Sequence, residues 1–433
     1  MLVYSPHITL RFKYILQYFN EKLFIDTTAT DDLDYYLSST DDKLNYSDER
    51  IDKAEFFIQQ SGLLQQQTIS KQLIECFEWK ETKVFFKTND DLGFDIFSAV
   101  FFLLTRYEEY MEHEPDEFGR YAHWNSLAWK EEFLNKPMID KWIFELKKLL
   151  TVKFPNLKFQ TSNFKFIPTY DIDIAWSFKH KGFLRSIAAS IKKPSTIIQR
   201  IKVAQGHMKD PYDCYDWLQQ LHATNELNPF YFFPVAVERS MLDKNISAKS
   251  IALKQLIKRV KENAEIGLHP SVYSHTAKEN LIKEKNKLQQ IIQHPVILSR
   301  YHYLLFHLPH SYRELMAAGI TDDYSMGYGT VNGFRASTSN SFLWYDLEKE
   351  EATTLRIHPF AFMEANNFYE LNHSTDEAYL ELKQLFNEVK KVNGTFITVF
   401  HNHFLGTDKM FTGWREIYED FISELNFAKV LSA

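Results

Sequence analysis

The sequence predicts an α/β protein: a (β/α) barrel of about seven units over residues 156–433, preceded by a mixed α/β domain over residues 1–155. Three observations predict it. The chain has 433 residues, more than one ordinary hydrophobic core holds, so two domains are expected. Beyond residue 160, apolar β-prone runs alternate with amphipathic helical runs, the pattern of parallel βα units. Between the halves, FPNLKFQTSN is polar and contains a proline, which marks a boundary.

In the first half, LVYS is a short strand candidate. ITLRFKYILQYFNEKL spaces Ile8, Phe12, Ile15 and Phe19 along one face of a helix. The stretch TTATDDLDYYLSSTDDKLNYSDERID reads as acidic and turn-rich, and KVFF as a second strand. FDIFSAVFFLLTRYEEYMEHE is the strongest helix of this half. MIDKWIFELKKLLTVKF is another, with Trp142, Leu146 and Leu150 on one face.

The second half opens on the strand FKFIPTYDID, followed by the helical run GFLRSIAASIKKPSTIIQRIKVA, interrupted at Pro194. The helix YDWLQQLHATNEL feeds the strand PFYFFPVAV, and ISAKSIALKQLIKRVKENA feeds EIGLHP. TAKENLIKEKNKLQQIIQ, a helix beginning near Thr276, feeds the strand VILSRYHYLLF. SYRELMAAG, with Gly319 as its C-cap, leads to ITDDYSMGY. LRIHPFAFME and TFITVFHNHFLG are the last strands, and WREIYEDFISELNF is the closing helix.

Composition excludes several classes. A net charge of −7 argues against a nucleic-acid partner. Cys76 and Cys214 stand far apart, so neither a disulfide framework nor a cysteine zinc site is implied. No run of about 18 apolar residues offers a membrane span. The N-terminal stretch MLVYSPHITLRFKYILQYF lacks the apolar core of a signal peptide, so a cytoplasmic location is expected.

Of 16 histidines, all but His7, His113 and His123 lie beyond residue 160, which places the chemistry in the second half. Its focus is FIPTYDIDIAW. On an extended strand Asp171 and Asp173, two apart, leave the same face. Neighbouring carboxylates in a partly buried place repel unless a cation or proton sits with them. That pattern reads as one metal ligand beside one general base, against the plainer reading of two solvated turn residues. In a barrel, active residues gather at the C-terminal strand ends. Asp171, Asp173, His269, Arg300, His302, His401 and His403 all fall at or near predicted strand ends.

Four motifs are Thr169-Tyr170-Asp171-Ile172-Asp173, Glu265-Ile266-Gly267-Leu268-His269-Pro270-Ser271, Ser299-Arg300-Tyr301-His302 and Thr398-Val399-Phe400-His401-Asn402. In order and spacing they resemble those of the polysaccharide deacetylases of the NodB-homology type, carbohydrate esterase family four. The first half resembles the accessory domain that precedes this module in some Bacteroidetes-like members. The resemblance implies a distorted (β/α) barrel and a metal-dependent hydrolase. Its activity would remove acetyl from an N-acetylated or O-acetylated sugar or glycan precursor, which would be the partner molecule. It implies Asp173 as metal carboxylate, Asp171 as base held ionised by Arg300, and His401 as general acid. One carboxylate with two imidazoles suits a divalent cation, zinc first, with cobalt, nickel or manganese as alternatives.

One departure stands out. The second histidine of the family's H-x-x-x-H motif would be residue 273, which here is Tyr273. His302, two residues after Arg300 on the same predicted strand face, is expected to join His269 as the missing ligand, with His275 as the alternative. Tyr273, Arg335 and His403 are expected substrate contacts. Asp322, Asp323 and Tyr324 either orient His401 or form a plain polar turn. Trp176 and Trp344 read as core before sugar platforms. Two other readings remain open: an amidase acting on a cyclic imide or ureide, and an inactive glycan-binding module.

Overall fold

Two mainly parallel sheets carry the two halves of the chain. The structure, a computed structural model, describes residues 1–160, 162–181, 194–275 and 277–430, the last five of these by backbone alone. The first sheet has the order β2-β1-β3-β4, with β1 at Leu2–Tyr4, β2 at Thr28–Thr30, β3 at Lys43–Ser47 and β4 at Phe56–Gln59, all parallel. The helix Leu10–Leu23 buries Phe12, Ile15 and Phe19, the face its spacing predicts, and the Thr9 side chain caps it. Strand β3 lies inside the stretch read as acidic turn. Its polar Asn45 is buried because Nδ2 donates to Glu49 O and Glu55 Oε1, both at 2.8 Å, so polarity there does not mean exposure.

The predicted KVFF strand is extended only at Lys83 and Val84, in β6 (Thr82–Val84), which pairs as a hairpin with β5 (Phe77–Trp79). Phe86 takes a left-handed backbone (φ 61°) that ends the extended run. The strongest predicted helix spans only Ile96–Leu104. Arg106 (φ 55°) then turns its guanidinium onto Glu108 and Glu109 and a short 3₁₀ turn follows.

The second sheet has nine strands in the order β12-β13-β11-β10-β9-β8-β7-β15-β14. These are β7 (Lys165–Asp171), β8 (Phe230–Phe233), β9 (Glu265–Leu268), β10 (Leu298–Ser299), β11 (Asp322–Asp323), β12 (Phe342–Asp346), β13 (Glu351–Ile357), β14 (Phe362–Met363) and β15 (Thr395–His401). Only β12, on β13, is antiparallel. Strands β12 and β14 stand at the two ends and are not paired with each other among the described residues, so hydrogen-bonded closure of the expected barrel is not seen. VILSRYHYLLF is a strand for two residues only, because Tyr303 and Leu304 both take positive φ and bend the chain. The helix expected near Thr276 begins at Lys278; Thr276 lies outside the described residues. So does 182–193 of the predicted first crossover, of which the helix Ile197–Ala204 is described. Strand β12 and the helix Thr375–Lys391, opened by a Ser374–Glu377 capping box, are further elements beyond the sequence reading.

Apolar side chains of both halves form one continuous core. Polar ties cross it as well: Tyr14 Oη donates to Leu343 O (2.6 Å), and Asp140 accepts from Thr338 Oγ1 (2.6 Å) and Ser339 N (2.7 Å). Among the described residues, no helix is long and apolar enough to cross a membrane.

Candidate active site

The central strand β7 delivers Asp171 at its last position, in register with His401 of β15 on one side and Phe232 of β8 on the other. Asp171 is buried, and its Oδ1 accepts from Arg300 Nη1 at 2.9 Å. Arg300 is held in turn. Its Nε donates to Tyr324 O (2.9 Å), its Nη1 also to Thr169 Oγ1 (2.8 Å), and the guanidinium lies 4.4 Å over the Phe232 ring. One Asp171 oxygen is therefore committed and the other left for chemistry.

Three imidazoles converge on Asp173, two residues on. His269, just past β9, has Nδ1 at 2.6 Å from Arg300 O. A carbonyl only accepts, so Nδ1 carries the proton and Nε2 offers a lone pair. That Nε2 is 3.1 Å from Asp173 Oδ1 and 3.9 Å from Asp171 Oδ2. With no proton on that Nε2 the 3.1 Å approach is not a hydrogen bond, and Asp173 Oδ1 is a buried acceptor with no donor among the described residues. His302 has Nδ1 3.2 Å from Asp243 Oδ1 and Nε2 3.5 Å from Asp173 Oδ2. His401 has Nδ1 2.8 Å from Glu364 Oε1, which also accepts the His401 backbone N–H, and Nε2 3.5 Å from Asp173 Oδ2. Each ring is tethered at Nδ1 and turns Nε2 to the same carboxylate.

Facing acceptors repel unless a cation or proton stands between them. Ligand atoms of Asp173, His269 and His302 all lie within 4.8 Å of one another. One carboxylate and two Nδ1-anchored imidazoles, with an orphaned carboxylate oxygen among them, fit a borderline divalent cation with positions left open. Charge has the same sense. Burial disfavours charged Asp173, but the His302 and His401 imidazoles outweigh it and hold the carboxyl well below its usual range. Burial disfavours the imidazolium of His302, but Asp173 and Asp243 raise it to about 9. For His401, Glu364 and Asp173 outweigh burial and raise it to about 10. A carboxylate field that retains protons on imidazoles also attracts a metal cation in competition with them.

These groups open onto a cavity of about 360 Å³. Its walls include Tyr303, Tyr369 and Phe404, together with Phe118 and Arg120 from the first half. His403 lines it too. Burial, then the neighbouring His401, pushes His403 down to about 3, and its Nδ1 has no hydrogen-bond partner among the described residues.

Other expected contacts lie elsewhere. Arg335 is buried away from the cavity, with Nε and Nη2 on the Glu109 carboxylate (2.9 and 2.7 Å) and Nη1 on Gly327 O; it has no free face for substrate. Tyr273 sits 44% exposed on the turn Val272–His275 and is not among the residues lining the cavity. His275 packs on His307 with ring centroids 4.7 Å apart, also outside the lining. His302 does reach the cavity, but not by sharing a strand face with Arg300. The chain leaves the ladder after Ser299, and His302 begins a 3₁₀ turn with its N–H on Pro270 O.

The Asp322–Tyr324 segment does not orient His401. Asp322 pairs with His358 at 2.8 Å, Asp323 accepts from Ser325, and Tyr324 O takes Arg300. Strand β11 stands five positions from β15 in the sheet, whereas β14 is its neighbour, so Glu364, just beyond β14, reaches the ring. Trp176 and Trp344 are core residues. Sequence reasoning missed Glu364, Asp243, Phe118 and Arg120. Glu364 ends the predicted strand LRIHPFAFME, so the strand-end rule applied to the other groups finds it. The others lie in loops without a pattern.

Residues 1–155 match the model of a family of unknown function, DUF7033. No curated protein matches the chain. Among solved structures, the chain is similar to a putative polysaccharide deacetylase from Mycobacterium smegmatis, with 12% identity over 62% of this chain and 86% of that one and a TM-score of 0.40. It is also similar to a polysaccharide deacetylase from Bacillus cereus (9% identity, 61% and 89% covered, TM-score 0.33). A third is a probable polysaccharide deacetylase from Pseudomonas aeruginosa PAO1 (11%, 60% and 84%, TM-score 0.37). At identities and TM-scores this low, the likeness does not fix the activity of this chain.

Proposed function

We propose that the protein is a metal-dependent hydrolase that removes acetyl from an N-acetylated or O-acetylated sugar or glycan precursor. One observation carries the reading: three Nδ1-tethered imidazoles face Asp173 beside an arginine-held Asp171, all at the floor of one cavity. Asp173, His269 and His302 hold the divalent cation, zinc in the first instance. When bound, it supplies a more acidic water and a polarised acyl carbonyl.

The chain's own groups divide the proton work. Asp171 Oδ1 is occupied by Arg300, so Oδ2 takes the proton of the attacking water. His401 gives a proton to the departing amine or alkoxide. Of the two histidines at this end of β15, His401 is raised to about 10 and His403 lowered to about 3, so at neutral pH only His401 has a proton to give. Neutral His403 accepts or donates a hydrogen bond to substrate. Tyr369, half-exposed at the cavity, offers a ring face to a sugar.

Elemental analysis with acetate release from a panel of acetylated sugars tests this. Wild-type protein is expected to carry metal and release acetate. Asp171→Asn is expected to keep the metal and lose about 10²–10⁴-fold in turnover. Loss of metal from Asp171→Asn would exchange the roles of the two carboxylates. A metal-loaded protein inert on every acetylated sugar would remove the substrate assignment.

A further inference from the structure

The segment 115–121 of the first half is a small loop closed by a bridge between Pro115 and Tyr121. Asp116 organises it: Oδ1 accepts from Phe118 N and Arg120 N, both at 2.9 Å, and Oδ2 from Arg120 Nε at 2.7 Å. The loop is seated on the turn that carries His302. Arg120, 5% exposed, donates from Nη1 to Tyr303 O at 2.7 Å. The Phe118 ring stacks on the Tyr303 ring at 5.6 Å, and Gly119 O lies 2.7 Å from His307 Nε2. The guanidinium is also wedged against Gly329, where a Cβ would meet Arg120 Nη1 at 2.0 Å.

The turn needs such support. Tyr303 (φ 56°) and Leu304 (φ 52°) are consecutive bulky residues in the left-handed region, a conformation that persists only where its surroundings over-determine it. The Tyr303 ring packs on the His302 ring at 4.5 Å. Fixing the Tyr303 carbonyl and ring therefore fixes the backbone and one face of His302.

We infer that the first half, the region matched by a family of unknown function, is the brace that sets a metal ligand of the second: Arg120 and Phe118 hold the strained Tyr303 turn so that His302 Nε2 meets Asp173. Arg120 is a positioning residue, and Phe118 is also a wall of the substrate cavity. This rests on the reading of His302 as a ligand.

The test uses the full chain and zinc alone. Zinc dissociation constants come from competition with a chromophoric chelator, beside thermal midpoints, for wild type, Arg120→Met, Arg120→Lys, Phe118→Ala and Arg11→Met. Arg11 pairs with Glu350 across the same two halves and does not line the cavity, so it reports general loosening. Arg120→Met is expected to weaken zinc about 10–100-fold, the range for groups that orient a ligand. Arg120→Lys, which keeps a donor for the carbonyl, should recover part of that loss. Phe118→Ala should weaken zinc less than Arg120→Met, and it carries the test if Arg120→Met does not fold. Arg11→Met should lower the thermal midpoint with zinc affinity unchanged. Wild-type affinity in both loop variants, or an equal loss in Arg11→Met, overturns the inference alone. A wild-type protein that binds no zinc overturns the proposed function and this inference with it.

Discussion

At the seam between the halves, Arg106, Arg335, Glu108 and Glu109 bury four charged groups. At the end of the parallel sheet, Asp171, Asp173, His269, His302 and His401 form a second cluster of titratable groups. In the seam, donors meet acceptors: Glu109 Oε1 accepts from Arg106 Nε (2.7 Å) and Arg335 Nε (2.9 Å), and Oε2 from Arg335 Nη2 (2.7 Å). At the sheet end, three imidazole Nε2 atoms turn on Asp173, yet its Oδ1 is left without a donor among the described residues. A buried carboxylate with its own donors, as Glu109 has, is complete and serves the fold. A buried acceptor left without a donor is completed from outside, which is the character of a binding site.

The comparison can be broken in four places, from the largest effect down. Asp173→Ala removes the carboxylate on which the imidazoles converge. It should abolish zinc content in elemental analysis and cut acetate release by more than about 10³-fold, since both the activated water and the polarised carbonyl depend on the ion. Retained zinc would show that the convergence is not the metal site.

Glu109→Gln attacks the seam instead. Leaving Arg335 buried without its partner should cost about 3–5 kcal/mol in a denaturant titration and leave zinc affinity unchanged. The pH dependence has a definite sign. Burial disfavours the Glu109 carboxylate, but Arg335 and Arg106 outweigh it and lower its pKa from 4.5 to about 2. Its contribution is therefore full above about pH 4.5 and lost as pH falls through about 2. The stability gap between wild type and variant should close over that window, and a gap constant from pH 6 to 2 would contradict the assignment.

The next effect separates two histidines. His302→Ala should weaken zinc by at least about 10²-fold, while His275→Ala, whose ring packs on His307 outside the cavity, should keep wild-type affinity. The opposite result would make His275, the alternative ligand, the metal-binding residue. The smallest effect belongs to Tyr273, half-exposed and outside the cavity lining. Tyr273→Ala should shift KM by no more than about 0.5 kcal/mol in steady-state kinetics, and a larger rise would return it to the substrate site.

Periodicity and strand-end position made much of this protein legible. The helix over Leu10–Leu23, the strand leading to Asp171 and the strand leading to His401 follow from local geometry, whereas Asp173 lies two residues beyond the end of its strand, so a shared strand face is not what brings it beside Asp171. Local geometry also misled. It placed His302 on a strand that ends at Ser299, and nothing local to Arg335, expected at substrate, showed that the Glu109 carboxylate would take its guanidinium. The tethers that aim the imidazoles were decided only by the tertiary structure. Glu364 reaches His401 because β14 lies beside β15, and Asp243, from a loop, reaches His302. The loop of Phe118 and Arg120 reaches Tyr303 because the two halves share one core. Residue types and spacing specify which groups exist and which way a strand points them. Which strand neighbours which, and so which acceptor is left without a donor, is settled only when the sheet order and the core are complete.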